Sequence, residues 1–444
     1  MQEKKELNKR ILRLGIPIML GNLSQTLMST ADTIMVARLS REALAAAGLG
    51  NIFTFTFLFP LGLLAMGTRI KVARRVGEKK LHQVGMVVDN SLALGLGLGM
   101  GATLILSLAA PLIMIYINPD PVVAELASNF IRIRFLAVPF FILIMCGQAF
   151  FEATGRTEIT LYSSVLVNGL NVVFNAVLIF GLLGLPALGL MGAAWGSVIA
   201  TFLGTVFIWF YLRHQREKVN YGVFSWKLNR EESRSILGLS IPAMLEGFGS
   251  IFSYFIFVWI HSLIGTVELA AASVLNAIYS LLFLPAIGLG KATGILVGQF
   301  LGAGEQLMAR MSTIQGMKIG AFFSILIAVL GIAGARPLLS LYTPDAEVIQ
   351  TAYVPLIIIL IGTSVNSMGM VARHTIMGAG MTRWTFKMQI IICYLIYLPV
   401  VYLLGIRWGL GIQGTYLGEA LYFFLVFATH FWKFRKGDWQ FHQV

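Results

Sequence analysis

Residues 14–37, LGIPIMLGNLSQTLMSTADTIMVA, and residues 239–262, LSIPAMLEGFGSIFSYFIFVWIHS, decide how this chain is built. Each supplies the roughly 20 mostly apolar residues that an α-helix needs to cross a hydrocarbon core. Each also places a proline early, at Pro17 and Pro242, with a Met-Leu pair just beyond it. An offset of 225 residues superposes the two stretches without a gap and continues past them. Leu44, Ala45, Ala46, Ala47 and Asn51 land on Leu269, Ala270, Ala271, Ala272 and Asn276. Pro60, Thr68, Ile70, Val72 and Gly77 land on Pro285, Thr293, Ile295, Val297 and Gly302, and later Gly155 and Thr157 land on Gly380 and Thr382. An offset of 222 then pairs Gly189, Gly192 and Gly196 with Gly411, Gly414 and Gly418. Proline and glycine fix kinks and close helix approaches, so their register carries more weight than shared apolar character.

The composition requires a bilayer as solvent. Of 444 residues 57% are hydrophobic and 12% charged, with a mean hydropathy of +0.81, more apolar surface than a water-soluble chain of this length can bury. The apolar runs predict an all-α integral membrane protein of twelve transmembrane helices, near 12–37, 44–70, 84–117, 124–154, 160–184, 188–212, 236–263, 268–300, 314–342, 349–377, 385–406 and 411–434. The expected organisation is an N-lobe over 1–212, a cytoplasmic linker over 213–235, a C-lobe over 236–434 and a cytoplasmic tail over 435–444. Six helices per half is an even number, which makes the halves a parallel repeat about an axis along the membrane normal, with a central substrate path expected. The opening MQEKKELNKR is too polar for a cleavable signal, and the apolar run after it is too long.

The formal net charge of +13 does not point to nucleic acid. With the N-terminus inside, 26 of the 33 Lys and Arg residues fall on inner segments, the positive-inside pattern of a plasma-membrane protein with both termini cytoplasmic. The basicity then meets anionic lipid headgroups. Cys146 and Cys393 lie far apart in apolar stretches and read as packing residues.

Charges inside the spans are the functional candidates. Asp32 sits in the outer half of the first helix, where an ionisable group costs about 3 kcal/mol on insertion scales and usually marks an ion or proton path. The bland alternative is a helix cap near the outer interface. Asn171 and Asn175 lie one turn apart on one face of the fifth helix, Asn168 precedes them, and Ser197 follows in the sixth. Interhelical hydrogen bonding would also explain the asparagines. The offsets put Phe257, Cys393, Tyr397 and Glu419 opposite Asp32, Asn171, Asn175 and Ser197. A purely structural cluster would be expected in both halves, so its absence from the second favours a function. Glu246 and Lys291 lie at similar depth on consecutive helices and are predicted to pair, as a structural ion pair, a substrate contact or a gate. Arg69, Lys71, Arg74 and Arg75 are expected to snorkel to the inner headgroups. Gln148 with Glu152, Glu419, His261 and His374 are weaker candidates.

SIPAMLEGFGS at 240–250, LVGQFLGAGE at 296–305, MGAGMTRW at 377–384 and ADTIMVARLS at 31–40 resemble the multidrug and toxic compound extrusion (MATE) family. GRTE at 155–158 and GLMGAAWGS at 189–197 fit the same pattern, so the resemblance covers the whole chain. It implies a monomeric two-lobed antiporter that expels amphipathic, mostly cationic organic compounds against H⁺ or Na⁺, with no cofactor. One branch of the family carries a Glu about eight residues after the seventh-helix proline; here that position is Ser250. The chain is therefore closer to the DinF-like branch, and the resemblance puts Asp32, Asn171, Asn175 and Ser197 on its cation or proton site. One carboxylate among neutral oxygens suits a hard monovalent cation or a proton. Many relatives carry a second Asp where this chain has Asn175, which leaves the coupling ion open and makes Na⁺ the one metal to consider. A lipid-linked precursor flippase of the same superfamily is the alternative. No HExxH, Walker loop or nucleophile motif supports an enzyme.

Overall fold

The computed structural model describes residues 2–219 and 221–443, apart from the side chains of 215–219. Residues 1, 220 and 444, and those side chains within the expected linker, lie outside the described residues. The described residues are helical throughout, with no strand. In chain order the helices are α1 (Gln2–Ala37), α2 (Arg41–Gly62), α3 (Ala65–Gly77), α4 (Leu81–Ile117), α5 (Pro121–Phe135), α6 (Val138–Ala153), α7 (Thr157–Phe180) and α8 (Leu190–Val219). They continue with α9 (Arg230–Ile264), α10 (Thr266–Leu282), α11 (Leu284–Gly302), α12 (Gln306–Ala333), α13 (Ala335–Ser340), α14 (Ala346–Gly378), α15 (Thr382–Ile390), α16 (Leu398–Tyr402) and α17 (Gly411–Lys436). Among the described residues nine helical runs are long and apolar enough to span a bilayer, and ten if the bent pair α5–α6 is one span. α1 and α17 are as long but more polar.

Local sequence explains where the rods break. Pro60 ends α2, and Pro285 sits in the first turn of α11, so α2–α3 and α10–α11 are each interrupted near their offset-related prolines. Val138-Pro139 starts α6 after a 44° bend from α5. Asp120 accepts hydrogen bonds from the Val122 and Val123 amides at the start of α5, and Asp345 does the same for Glu347 and Val348 at the start of α14. These two caps are themselves 225 residues apart. The run after α15 contains two π-helical stretches, Ile391–Tyr397 and Leu403–Arg407, on either side of α16.

Packing divides the chain into two compact units, Leu20–Met244 and Met1–Met19 with Leu245–Val444. The divisions fall inside α1 and α9, between residues that the 225 offset equates. The early part of each repeat's first helix thus belongs to the other unit. Leu7, Ile11, Leu14 and Ile18 of α1 are buried with Leu289, Leu296 and Ile376. Ile236 of α9 is buried with Leu64, Val84 and Phe150.

In the Leu20–Met244 unit, buried polar groups fasten the chain that follows α8. The Asp89 carboxylate accepts the Phe224 amide (2.7 Å), the Trp226 amide (2.9 Å) and the Ser225 hydroxyl (3.2 Å). Asn90 Oδ1 accepts the Asn229 amide and the Ser233 hydroxyl. Three consecutive bonds to one carboxylate hold Phe224 and Trp226 in positive-φ conformations that non-glycine residues rarely adopt.

Snorkelling fails as a description of two basic side chains. Lys71 is buried and paired with Glu232 at 2.8 Å, and Arg69 Nε donates to Glu152 at 2.6 Å. A carboxylate within reach inside the protein replaces the headgroups as the counter-charge. Outside the spans, partial burial of Glu78 is outweighed by hydrogen bonds from Lys80 and Arg75, which hold its carboxyl below the usual range.

Candidate functional site

The second part of α1 carries Asp32, and α7 and α8 bring Asn171, Asn175 and Ser197 to it. α7 and α8 can meet because α8 presents glycine at the contact; a Cβ on Gly196 would collide with Asn175 Oδ1. Asn175 and Asn171 are i and i−4 on α7, so both amides leave the helix on one face.

The four side chains form one connected cluster. Asn175 Nδ2 donates to Asp32 Oδ1 at 2.7 Å. One end of the Asn171 amide lies 3.0 and 3.2 Å from the two Asp32 oxygens, and its other end lies 2.8 Å from Ser197 Oγ. This geometry supports two hydrogen-bond arrangements, because amide oxygen and nitrogen have nearly the same shape. With its N–H toward Asp32, Asn171 donates to an ionised carboxylate and accepts the Ser197 hydroxyl. With its oxygen toward Asp32, it faces a second acceptor unless the carboxyl carries a proton. In that case Asn171 donates to Ser197, whose hydroxyl is free to donate to the Ala193 carbonyl at 3.0 Å, and Asn175 donates to Asn171 Oδ1 at 2.9 Å.

Asn171, Asn175 and Ser197 are buried, and Asn175 Oδ1 has no partner among the described residues. Asn168 stands apart from the cluster, donating to Ser24 Oγ at 3.0 Å. The guanidinium of Arg134 on α5 is within electrostatic reach of Asp32 and adds a positive group to the site. Its only sequence signal was an arginine close to the start of an apolar run.

In the other unit, the structure supplies a partner for Glu246 that the sequence reading did not consider. Arg373 of α14 pairs with it. Glu246 is almost fully buried, and the pairing neutralises both groups at close range. Lys291 is not without interactions of its own. His261 is held between the Phe257 carbonyl and Thr415 Oγ1, and His374 contacts the Met370 carbonyl, so both act within the packing of their helices. Gln148 reaches Ser163 and Ser164 at 3.4 Å, while its neighbour Glu152 is taken by Arg69.

Comparison with known proteins gives a consistent answer. The MatE family model matches residues 17–177 and again 242–403, so the two matches begin on Pro17 and Pro242, the prolines equated by the 225 offset. The chain is 28% identical over 429 residues to the multidrug resistance protein NorM of Burkholderia vietnamiensis, covering 95% of this chain and 92% of that protein. It is 23% identical over 440 residues to the probable multidrug resistance protein NorM of Thermotoga maritima, covering 99% and 94%. A solved MOP superfamily transporter from Pyrococcus furiosus shares the fold, with a TM-score of 0.88 at 22% identity over 98% of this chain and 97% of that one. With two matches of the family model that together cover most of the chain, the protein belongs to the MatE family of membrane transporters.

Proposed function

We propose that this chain is a proton-coupled secondary antiporter of the plasma membrane that exports amphipathic organic cations, with Asp32 as its proton carrier. In this reading α1 and α17 complete the ten apolar spans to twelve, and both termini are cytoplasmic. The observation that carries it is the Asp32–Asn171–Asn175–Ser197 cluster: one carboxylate, two amides and two alternative hydrogen-bond arrangements, one for each protonation state. With the Asn171 N–H toward Asp32, both ends of that amide are satisfied, by an ionised carboxylate and by Ser197; the opposite arrangement is the one in which Asn175 Nδ2 meets the Asn171 oxygen at 2.9 Å. It requires a protonated carboxyl. The names of the NorM relatives support drug export. The DinF-like branch assignment rests on Ser250 and on Asp32.

Coupling requires that the two protonation states differ in their affinity for substrate or in the conformation they favour. The test is efflux of a fluorescent organic cation from proteoliposomes, with pH and Na⁺ gradients imposed separately. A pH gradient is expected to drive efflux, a Na⁺ gradient alone is not, and Asp32→Asn is expected to reduce efflux to background at normal expression. Undiminished efflux by Asp32→Asn would sink the assignment.

A further inference from the structure

The positions that correspond to the Asp32 cluster in the other unit are not empty of chemistry. Phe257, Cys393, Tyr397 and Glu419, the offset partners of Asp32, Asn171, Asn175 and Ser197, all line one cavity of about 200 Å³. Its walls come from α9, α10, the π-helical stretch Ile391–Tyr397 and α17. A π-helical turn widens the backbone by one residue and often marks a functional site; here it carries Cys393 and Tyr397 at the cavity wall.

Rings dominate the lining. Phe257 stacks on Tyr397 at 6.0 Å and meets Tyr416 edge-on at 5.7 Å, and Tyr397 lies 5.0 Å from Tyr422. Glu419 lies on α17 three residues from both Tyr416 and Tyr422, so all three leave the helix toward the same side. Glu419 makes no hydrogen bond or ion pair among the described residues, and it is within electrostatic reach of the phenols of Tyr279, Tyr397 and Tyr416. Arg373, within electrostatic reach of Cys393 and Tyr422, is already neutralised by Glu246. The other polar groups are engaged with one another: Gln389 exchanges hydrogen bonds with Tyr422, and Asn366 donates to Tyr279.

We propose that this cavity binds a small organic monocation, a quaternary ammonium or N-alkylated heteroaromatic ion, with Glu419 as counter-charge and Tyr279, Tyr397, Tyr416 and Phe257 supplying π-faces. A cation over such rings is stabilised by their quadrupoles, most strongly where water is excluded. The wall also carries Ser250, Ser253, Asn276 and Gln389, but its single charge and its packed rings suit an organic cation better than a small inorganic one, which needs several converging oxygens. The proposal deepens the antiporter reading, since it names where such a transporter would hold its substrate and rests on that reading for the purpose of binding.

The test is equilibrium binding of N-methylquinolinium to the purified full chain in nanodiscs, without any gradient, against quinoline in mildly alkaline buffer where it is neutral. The cation is expected to bind at least tenfold tighter than quinoline. Glu419→Gln is expected to weaken it at least tenfold while leaving quinoline within twofold, and Tyr397→Leu to weaken it severalfold. Glu419→Asp is expected to keep most of the affinity. Unchanged cation binding in both Glu419→Gln and Tyr397→Leu would overturn the site. Because no gradient is present, failure of proton-driven efflux with intact binding would count against the antiporter reading and leave the site standing.

Discussion

The same place in the two repeats is built from opposite materials. Around Asp32 there are amides and a hydroxyl within hydrogen-bond distance of one another; around Phe257 there are tyrosines, a cavity and a lone carboxylate moved to another helix. What the repeats share is backbone mechanics. Pro17 and Pro242, Pro60 and Pro285, the caps Asp120 and Asp345, and the contact glycines Gly196 and Gly418 all recur. A duplicated scaffold therefore retains the residues that bend and dock its helices, while the side chains facing the interior diverge. A hydrogen-bonded carboxylate suits a proton. A ring-lined void with one charge suits a larger cation.

The largest effect expected from disturbing this contrast lies at the buried ion pair of the aromatic unit. Glu246→Gln leaves Arg373 charged without its partner and is expected to cost about 3–5 kcal/mol, read as a lower unfolding temperature in detergent. Adding Arg373→Met to it is expected to recover most of the loss; failure to recover would mean that Glu246 acts through some other neighbour.

The glycine contacts come next. Gly196→Val and Gly418→Val each drive a branched side chain into a closely packed helix pair, against Asn175 and Val401 respectively. Each is expected to destabilise by about 1–3 kcal/mol. Only Gly196→Val is expected to uncouple efflux from the pH gradient, because only there does the intruding group meet the proton cluster. Equal uncoupling by both would erase the distinction between the units.

Asp89→Ala is expected to cost about 2 kcal/mol by removing the buried acceptor of three hydrogen bonds from residues 224–226. Limited proteolysis between Tyr221 and Asn229 would report it as faster cleavage at unchanged coupling. The smallest change in stability is expected for Asn175→Asp, which puts a second carboxylate beside Asp32 and recreates the pattern of many relatives. It is expected to confer binding of radiolabelled Na⁺ that the parent chain lacks. Sodium binding by the parent chain would instead erase the proposed preference for protons.

Some of this could be read from residues in a row. Asp32, Asn171, Asn175 and Ser197 meet as the family resemblance implied; the residues in a row show only an isolated charge in the first apolar helix and an i, i+4 amide pair in the fifth. Arg373 sits near the C-terminal end of α14, and a basic residue at the end of an apolar span ordinarily faces headgroups, so its place in the sequence does not point to Glu246. Arg69 and Lys71 were misread for the same reason. Asp89 drew no attention at all, although its carboxylate fixes the chain after α8.

Composition, hydropathy and the 225-residue offset by themselves determined that the chain is helical, membrane-embedded and internally duplicated, since apolar length, proline and glycine act within one helix or at its ends. Tertiary structure alone decided which carboxylate holds which cation, that α1 and α9 each divide between units at equivalent residues, and that four offset positions open onto one aromatic cavity. Glu246 and Arg373 are 127 residues apart. Their pairing depends on how helices rotate and cross, and the hydrophobic pattern of a helix that is apolar nearly all round does not specify that rotation.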